Sequence, residues 1–275
     1  MKYYNYIAGL PDLKQFDFKG IPGVAELKNE LYSVLSKHDA IFLQLLFYRY
    51  DNKNLLLLQK NRHVQIDPKG NLSKEDWSQI FQQLDEGETL KNLLLASYLK
   101  KFLVKNADED ILAEVSQEDY LSALYYDFAA KSTNVFLRKW FEFNLDLNNI
   151  ITAFICRKYD YDLNKLIVGQ NKTARALRKN TSPDFGLRFY TEAFDDIMLI
   201  VEEQDPAEKE IKIDLLKWKW LEENTLFSYF EVENILAYVL QAEIIERWKT
   251  IAVSGGAEIF NQLIDSLKKD IVVKV

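Results

Sequence analysis

The sequence predicts a mainly α-helical chain, and three observations support this prediction. The 275 residues include only 9 Gly and 5 Pro, too few for an all-β fold, which needs a turn every few residues. Apolar residues recur at helical spacing along much of the chain, as expected for amphipathic helices packed on a core. Two segments begin with a serine followed three positions later by an acid, the signature of a capped helix start.

The N-terminal half divides into elements in this order. Dense Gly and Pro predict an irregular lead-in over 1–23, and apolar spacing predicts helices over 24–50 and 51–62. The turn residues of IDPKGN, at 66–71, end that region. The capping signatures Ser73-Lys74-Glu75-Asp76 and Ser116-Gln117-Glu118-Asp119 then predict two helix starts, the second leading a helix to about 143.

The C-terminal half follows the same logic. A helix is predicted over 145–160, followed by a polar break over 161–186 that ends in a helix start at Ser182-Pro183. Asp205-Pro206 predicts another helix start, with helix to about 222 and again over 229–251. A short helix over 257–269 precedes an irregular C-terminal tail. Gly255-Gly256 separates the last two helices.

Charge and cysteine content exclude several classes of function. The net charge of −7 disfavours nucleic acid as the main partner, because an acidic surface repels phosphates. One cysteine permits no internal disulfide and no cysteine-rich metal site, which fits a cytoplasmic, reducing compartment. No apolar run reaches membrane-spanning length, so we expect no direct insertion into lipid.

A short pattern occurs three times: an acid, two residues of any type, an asparagine, then Ile or Leu. The copies begin at Asp51, Asp146 and Glu231, with Asn54, Asn149 and Asn234 as their asparagines. An aromatic cluster precedes each copy and an apolar segment follows it. Arginines follow the first two copies at equal distance, as Arg62 and Arg157, whereas the third copy has Arg247 further on. The repetition indicates three related helical subdomains.

We interpret the repeated residues as structural. A carboxylate at a helix start accepts backbone N–H bonds and favours the positive end of the helix dipole. An asparagine side chain can tie that start to a neighbouring backbone, since it both donates and accepts hydrogen bonds. A catalytic site rarely needs three similar copies in one chain.

No catalytic, metal or cofactor residues are predicted. His38 and His63 have no second ligand at metal-binding spacing. Cys156 has no neighbouring base and lies on a helix that should pack, which favours an inert buried thiol over a nucleophile. The basic segment KTARALRKN, at 172–180, is either a solvated basic helix end, the favoured interpretation, or a site for an acidic partner.

The helix over 233–251 carries an apolar stripe and two charged residues on another face. Glu243 and Arg247 have the favourable i, i+4 order of an ion pair. An ordinary amphipathic helix explains them. A sharper hypothesis is that Glu243, Glu246 and Arg247 belong to a polar seam that joins helices or contacts a partner.

Two of these helices resemble those of a known family. LDLNNIITAFICRKYDYD resembles the signature helix of the C-type rotor subunit of V/A-type ATPases, whose counterpart in eukaryotic V-ATPases is the d-type subunit. The matching residues are Asp146, Asn149, Ile150 and Arg157. ENILAYVLQAEIIERWKTI is similar to the closing signature of that family, through Tyr238, Glu243, Arg247 and Ile251. The N-terminus, MKYYNYIAGLPDL, instead resembles an uncharacterised bacterial family encoded among V-type ATPase genes.

The resemblance implies a funnel-like chain of three related helical subdomains, for which we expect the bounds 1–110, 111–190 and 191–275. It also implies a non-catalytic rotor subunit in the central stalk. Such a subunit is a socket between the central-shaft subunits and the membrane proteolipid ring, cytoplasmic and peripheral to the membrane through its complex. A helical adaptor with another soluble partner is the main alternative, and an enzyme that uses acidic residues is a less favoured one.

Overall fold

The structure is a computed structural model that describes residues 2–18, 20–91, 94–105, 116–228 and 230–254. Within these ranges it contains twelve α-helices and no β-strand, which confirms the predicted mainly α fold. The helices are α1 (Tyr4–Gly9), α2 (Val24–Val34), α3 (Lys37–Lys60), α4 (Lys74–Asp85), α5 (Ser97–Lys105), α6 (Gln117–Ala129), α7 (Val135–Tyr159), α8 (Leu163–Leu166), α9 (Lys172–Lys179), α10 (Phe194–Glu202), α11 (Pro206–Thr225) and α12 (Val232–Ser254). No helix in the described ranges has the length and apolar character needed to cross a bilayer.

The chain divides into two compact units. One comprises Met1–Ala40 together with Glu203–Val275, and the other comprises Ile41–Glu202. The division into three subdomains at 1–110, 111–190 and 191–275 stays a prediction.

The unit over Ile41–Glu202 is organised around α7. This helix packs against α6, α8, α9 and α10, and α5 packs against α6. Its apolar stripe is buried, with Leu147 and Ile150 fully inaccessible to solvent. An aromatic cluster fills another part of the unit, where the Tyr98 ring lies 5.2 Å from Phe128 and 5.6 Å from Tyr125. Burial of such large side chains supplies most of the favourable free energy of folding.

The unit formed by the two chain ends has a core of tryptophans between α11 and α12. The rings of Trp218 and Trp248 stack with centroids 6.1 Å apart, and Phe16 stacks on Trp248 at 4.4 Å. Helix α12 also packs against α2. The N-terminal lead-in therefore contributes a ring to the core of this unit, although it is irregular at residues 10–18.

Three predicted helix starts are confirmed. Ser73 and Asp76 form a reciprocal capping box at the start of α4. The Ser116 hydroxyl accepts a hydrogen bond from the Asp119 N–H at 3.0 Å, and so caps α6. Asp205 caps α11, whose first residue is Pro206. Each cap satisfies N–H groups that have no partner inside their own helix.

The prediction of helices over 24–50 and 51–62 is wrong in its break point. The chain breaks at Leu35, which has extended backbone angles, and then forms one helix, α3, from Lys37 to Lys60. The Ser36 hydroxyl accepts from the Asp39 N–H at 3.2 Å and starts that helix. Ser36 and Asp39 have the same spacing as Ser73 and Asp76, but the apolar pattern continues across them and conceals the break.

The helix start predicted at Ser182-Pro183 is also wrong. The Ser182 hydroxyl donates to the Asp184 carboxylate instead of capping a helix. Phe185 and Gly186 then adopt positive φ angles of 51° and 68°, which a right-handed helix excludes. The next helix, α10, begins only at Phe194. The break predicted over 161–186 contains the short helices α8 and α9, while the helix predicted over 257–269 lies outside the described residues.

Candidate functional site

The first copy of the repeated motif ties α3 to the loop after it. The Asn54 side chain accepts from the N–H of Asp67 at 2.8 Å and donates to the carbonyl of the same residue at 2.9 Å. Asp51 accepts from the N–H groups of Asn71 at 2.9 Å and Leu72 at 3.0 Å. Both motif side chains are fully buried, so these bonds satisfy groups that have no access to water.

The loop of this first copy approaches the motif so closely that residue 70 has no room for a side chain. A Cβ atom added at Gly70 would lie 2.8 Å from both Asp51 Oδ1 and Asn54 Nδ2. The Gly70 backbone does not have the positive φ that favours glycine. Lack of space, and not backbone conformation, therefore makes glycine necessary at this position.

The second copy repeats the asparagine geometry on α7. The Asn149 side chain accepts from the N–H of Val168 at 2.9 Å and donates to the carbonyl of Val168 at 2.8 Å. Asn149 is buried, and the hydrogen bonds hold the loop between α8 and α9 against α7. In both copies, one side-chain amide thus binds the N–H and the carbonyl of a single loop residue.

The acid of the second copy binds the start of α9, the second helix after α7. Asn171 caps α9 and donates to Asp146 Oδ1 at 2.7 Å, and the Thr173 hydroxyl is a second donor group near the Asp146 carboxylate. Burial raises the pKa of Asp146, an effect that these two donors oppose. In the first copy, the two residues bound by Asp51 likewise come just before α4.

The predicted location at the start of their own helices is therefore wrong for Asp51 and Asp146. Asp51 lies inside α3 and Asp146 lies inside α7. The aromatic clusters before them, FYRY and WFEF, continue the apolar face of the helix and so extend it towards the N-terminus. Each carboxylate acts instead near the beginning of a later helix, Asp51 at α4 and Asp146 at α9, where the helix dipole favours negative charge.

The two arginines of the motif also have similar environments. The Arg62 guanidinium lies 3.3 Å from the ring centroid of Phe81, and that of Arg157 lies 3.8 Å from the ring centroid of Phe185. Arg157 also donates to the carbonyls of Ser182 at 2.9 Å and Pro183 at 2.7 Å. Each arginine thus binds a segment that follows it in the chain. Both do so through a cation–π contact, and Arg157 also does so through hydrogen bonds.

The third copy has a different geometry. Glu231 is exposed and lies immediately before α12, and the N–H of Asn234 donates to its carbonyl at 3.3 Å. The side-chain oxygen of Asn234 is buried and accepts no hydrogen bond from the described part of the chain. The amide-to-loop arrangement of the first two copies is therefore not repeated at Asn234 within the described residues.

Charged residues of α12 bind residues of α11 and α2. The Arg247 guanidinium forms ion pairs with Asp214 and, at 3.5 Å, with Glu210, both on α11. Asp214 is 2% exposed and also accepts from the indole N–H of Trp248 at 2.9 Å. Glu246 accepts from the N–H of Val24, the first residue of α2, at 2.9 Å. Glu243 is buried on the same helix.

A polar cluster that the sequence analysis missed surrounds Asp39. Its Oδ2 atom accepts from the Lys2 ammonium at 2.6 Å, from the Ser36 hydroxyl at 2.8 Å and from the Tyr3 hydroxyl. These donors hold the pKa of Asp39 well below its usual range, although burial opposes them. Lys2 and Tyr3 lie more than thirty positions before Asp39, so no local pattern marks the cluster. The other missed partners, Asn71, Asn171 and Phe185, lie twenty or more positions after the motif residues they contact.

The remaining candidate residues show no catalytic arrangement. Cys156 is 1% exposed and burial raises the pKa of its thiol, which opposes formation of the nucleophilic thiolate. His38 lies beside Asp39, with Nδ1 3.2 Å from Oδ1. In the described ranges, no three potential metal-binding side chains converge on one point.

Comparison with known proteins identifies a family. A family model described as a protein of unknown function, DUF2764, matches residues 1–271, and the chain therefore belongs to that family. No curated protein and no solved structure shows a significant match.

Proposed function

We propose that this member of the DUF2764 family is a non-catalytic rotor subunit in the central stalk of a V/A-type rotary ATPase. In this role it is a socket that joins the central-shaft subunits to the membrane proteolipid ring. The protein is then cytoplasmic and reaches the membrane only through its complex. It needs no metal or cofactor of its own.

The observation that carries the proposal is the structural use of the signature helix. The residues that resemble the signature of the C-type rotor subunit are Asp146, Asn149 and Arg157, and all three bind the segments that follow α7. Helix α3 uses Asp51 and Asn54 in the same way. Repeated helical modules with internal polar ties are suited to a rigid part that transmits force, because such ties resist sliding of a helix against its loop.

The state of the buried carboxylates further supports a non-catalytic role. Asp51 and Asp214 are almost inaccessible to solvent, and each accepts hydrogen bonds from neighbouring backbone or side-chain donors. A general acid or base must instead contact a substrate.

A helical adaptor for another protein complex is the second candidate. It is favoured by large aromatic side chains displayed to solvent, among them Phe189, which is 91% exposed, and Phe227, which is 85% exposed. Aromatic side chains are enriched at protein–protein interfaces relative to the rest of the protein surface. The adaptor and the rotor subunit differ in their partners and not in their internal structure.

Affinity purification of the tagged, full-length protein from its own cells in mild detergent tests the proposal. We expect the central-shaft subunits and the proteolipid of a rotary ATPase to co-purify, and a tag-only strain controls for background. Recovery of soluble partners alone, with the ATPase expressed but absent from the eluate, would favour the adaptor.

A functional assay gives a second test. Deletion of the gene should leave ATP hydrolysis by the soluble head intact while abolishing ATP-driven ion uptake into membrane vesicles, since the shaft would no longer turn the ring. Unchanged ion uptake in the deletion strain would contradict the rotor proposal.

A further inference from the structure

The loop between α9 and α10 runs back along α9. At the C-terminal end of that helix, a Cβ atom added to Gly186 would lie 2.5 Å from Asn180 Nδ2. At its N-terminal end, the Lys172 ammonium lies 4.4 Å from the centroid of the Tyr190 ring. The loop residues between these two contacts therefore lie beside the helix.

Internal bonds fix the first part of this loop. The Asp184 carboxylate accepts from the Ser182 hydroxyl and from the Gly186 N–H, both at 2.9 Å. Phe185 is buried, and its ring contacts Phe154 and the Arg157 guanidinium. A loop held this way presents the residues after it in a defined position, which reduces the entropic cost of binding a partner.

The displayed residues are two adjacent aromatic side chains. Phe189 is 91% exposed and Tyr190 is 72% exposed. Folding leaves both rings in water although the loop before them is ordered and partly buried. Aromatic side chains are the groups that most often dominate the binding free energy at protein interfaces.

The exposed side of α9 is basic. Thr173, Ala174 and Leu177 are buried against the unit, whereas Lys172, Arg175 and Lys179 are exposed. In the described part of the chain, the side chains of Arg175 and Lys179 form no ion pair or hydrogen bond. Free cations on one helix side are notable in a protein whose net charge is −7.

We propose that these five residues, Lys172, Arg175, Lys179, Phe189 and Tyr190, form a docking surface for an acidic amphipathic helix of a partner protein. The three cations span seven helix positions, or about 10 Å at a rise of ~1.5 Å per residue. Carboxylates spaced three and four positions apart on a partner helix would match them. Apolar residues on the same partner helix would cover the two rings.

A protein partner is favoured over a polyanion such as nucleic acid. Three cations supply little neutralisation of a phosphate backbone, and the acidic remainder of the chain repels one. The proposed surface lies within one compact unit and goes beyond the rotor proposal, because it holds whether or not the partner belongs to a rotary ATPase.

A binding titration with a defined probe tests this surface. The probe is a short fluorescent helical peptide with Glu on one face and Leu on the other, titrated with the full-length protein at low salt. We expect saturable binding that weakens as salt is added. The triple variant Lys172→Glu/Arg175→Glu/Lys179→Glu should bind the peptide at least about tenfold more weakly than the wild type. The variant Phe189→Ser should bind it about tenfold more weakly.

Matched variants elsewhere in the same unit control for net charge and for apolar content. Lys74→Glu/Lys101→Glu/Lys139→Glu changes three other exposed lysines, and Ile41→Ser changes a side chain that is 59% exposed. Both controls should bind like the wild type. Equal weakening by the control triple, or no binding of the peptide by the wild type, would overturn the proposal. The wild type could also bind a single-stranded oligonucleotide more tightly than the peptide. If the triple variant of Lys172, Arg175 and Lys179 weakened that binding and the control triple variant did not, the proposal would be overturned in favour of a nucleic-acid surface.

Discussion

The side chain of Asn149 binds both main-chain polar atoms of Val168, accepting from its N–H at 2.9 Å and donating to its carbonyl at 2.8 Å. Asn54 binds Asp67 in the same way. By forming both bonds, the asparagine side chain satisfies the main-chain N–H and carbonyl of one loop residue, as hydrogen bonds from a neighbouring β-strand would do in a sheet. The segments that follow α3 and α7 are therefore fixed without a sheet.

Replacing Asn149 by Leu should lower the free energy of unfolding by about 2–4 kcal/mol, since two main-chain groups lose their partner in a partly buried site. Asn164, an exposed asparagine of α8 whose side chain forms no hydrogen bond in the described structure, provides the matched control, and Asn164→Leu should change the value by less than about 0.5 kcal/mol. Urea denaturation followed by circular dichroism measures both. An unchanged midpoint for Asn149→Leu would refute the structural role.

Gly70→Ala should destabilise the protein by about 1–3 kcal/mol, the usual cost of forcing an atom into a packed site. The added methyl group would lie 2.8 Å from Asp51 Oδ1 and Asn54 Nδ2. Gly9→Ala is the control, because nothing lies within 4 Å of the Cβ added there. If both variants melt at the wild-type temperature in a thermal denaturation experiment, the loop does not approach the motif as described.

Arg157→Lys should loosen the loop before Phe189. Lysine cannot reproduce both the two carbonyl hydrogen bonds and the planar stacking on Phe185. We expect faster chymotrypsin cleavage after Phe189 or Tyr190, measured by mass spectrometry over time. Arg175→Lys changes an arginine whose side chain has no such bonds in the described structure and should be cleaved at the wild-type rate. Equal rates for all three proteins would show that Arg157 does not fix the loop.

Asp214→Ala should lower the free energy of unfolding by about 1–3 kcal/mol, because the buried indole N–H of Trp248 and the guanidinium of Arg247 lose their acceptor. Glu210→Ala removes a longer and more exposed contact to the same arginine, so its effect should stay below about 1 kcal/mol. Tryptophan fluorescence during denaturation reports on both. Equal effects of the two changes would argue against a special role for Asp214.

Glu203 should contribute to stability in a pH-dependent way. Hydrogen bonds from Lys212 and from the Asp205 N–H lower its pKa from 4.5 to about 2. A carboxylate with a lowered pKa in the folded state contributes stability that is fully present above the unfolded pKa and is lost as the pH falls. The stability difference between wild type and Glu203→Gln should therefore be constant near pH 7 and decline from about pH 4.5 to 2. A difference that does not change across this window would exclude the carboxylate as its cause.

Sequence reasoning predicted local features more reliably than distant contacts. Ser73 and Asp76 act over three residues, so their capping box could be predicted from the sequence. Ser36 and Asp39 have the same spacing, but the uninterrupted apolar pattern concealed the start of α3. Asn71 and Asn171 lie twenty or more positions after the acids they bind, and that separation follows from the course of the loop and not from any periodicity.

The repeated motif itself can be found from the sequence, but its position in the helices cannot. The aromatic residues before Asp51 and Asp146 suggest a helix start after them, although they belong to the apolar face of the same helix. Asp51 and Asp146 do lie near a helix N-terminus, as the motif suggests, but that N-terminus belongs to a later helix, α4 or α9. Glu231 and Asn234 match the motif in sequence, but in the described residues they do not form the side-chain contacts of the first two copies.

The bonds from Asn54 and Asn149 to main-chain atoms also affect how the two modules can diverge. Their loop partners, Asp67 and Val168, have unrelated side chains, yet the asparagines bind them identically because every residue except proline has the same N–H and carbonyl. Substitution of such a loop residue leaves the tie intact. Two copies of the motif can therefore differ throughout their loops and still form the same hydrogen bonds, so the asparagines and the course of the backbone would show the likeness where the loop sequences do not.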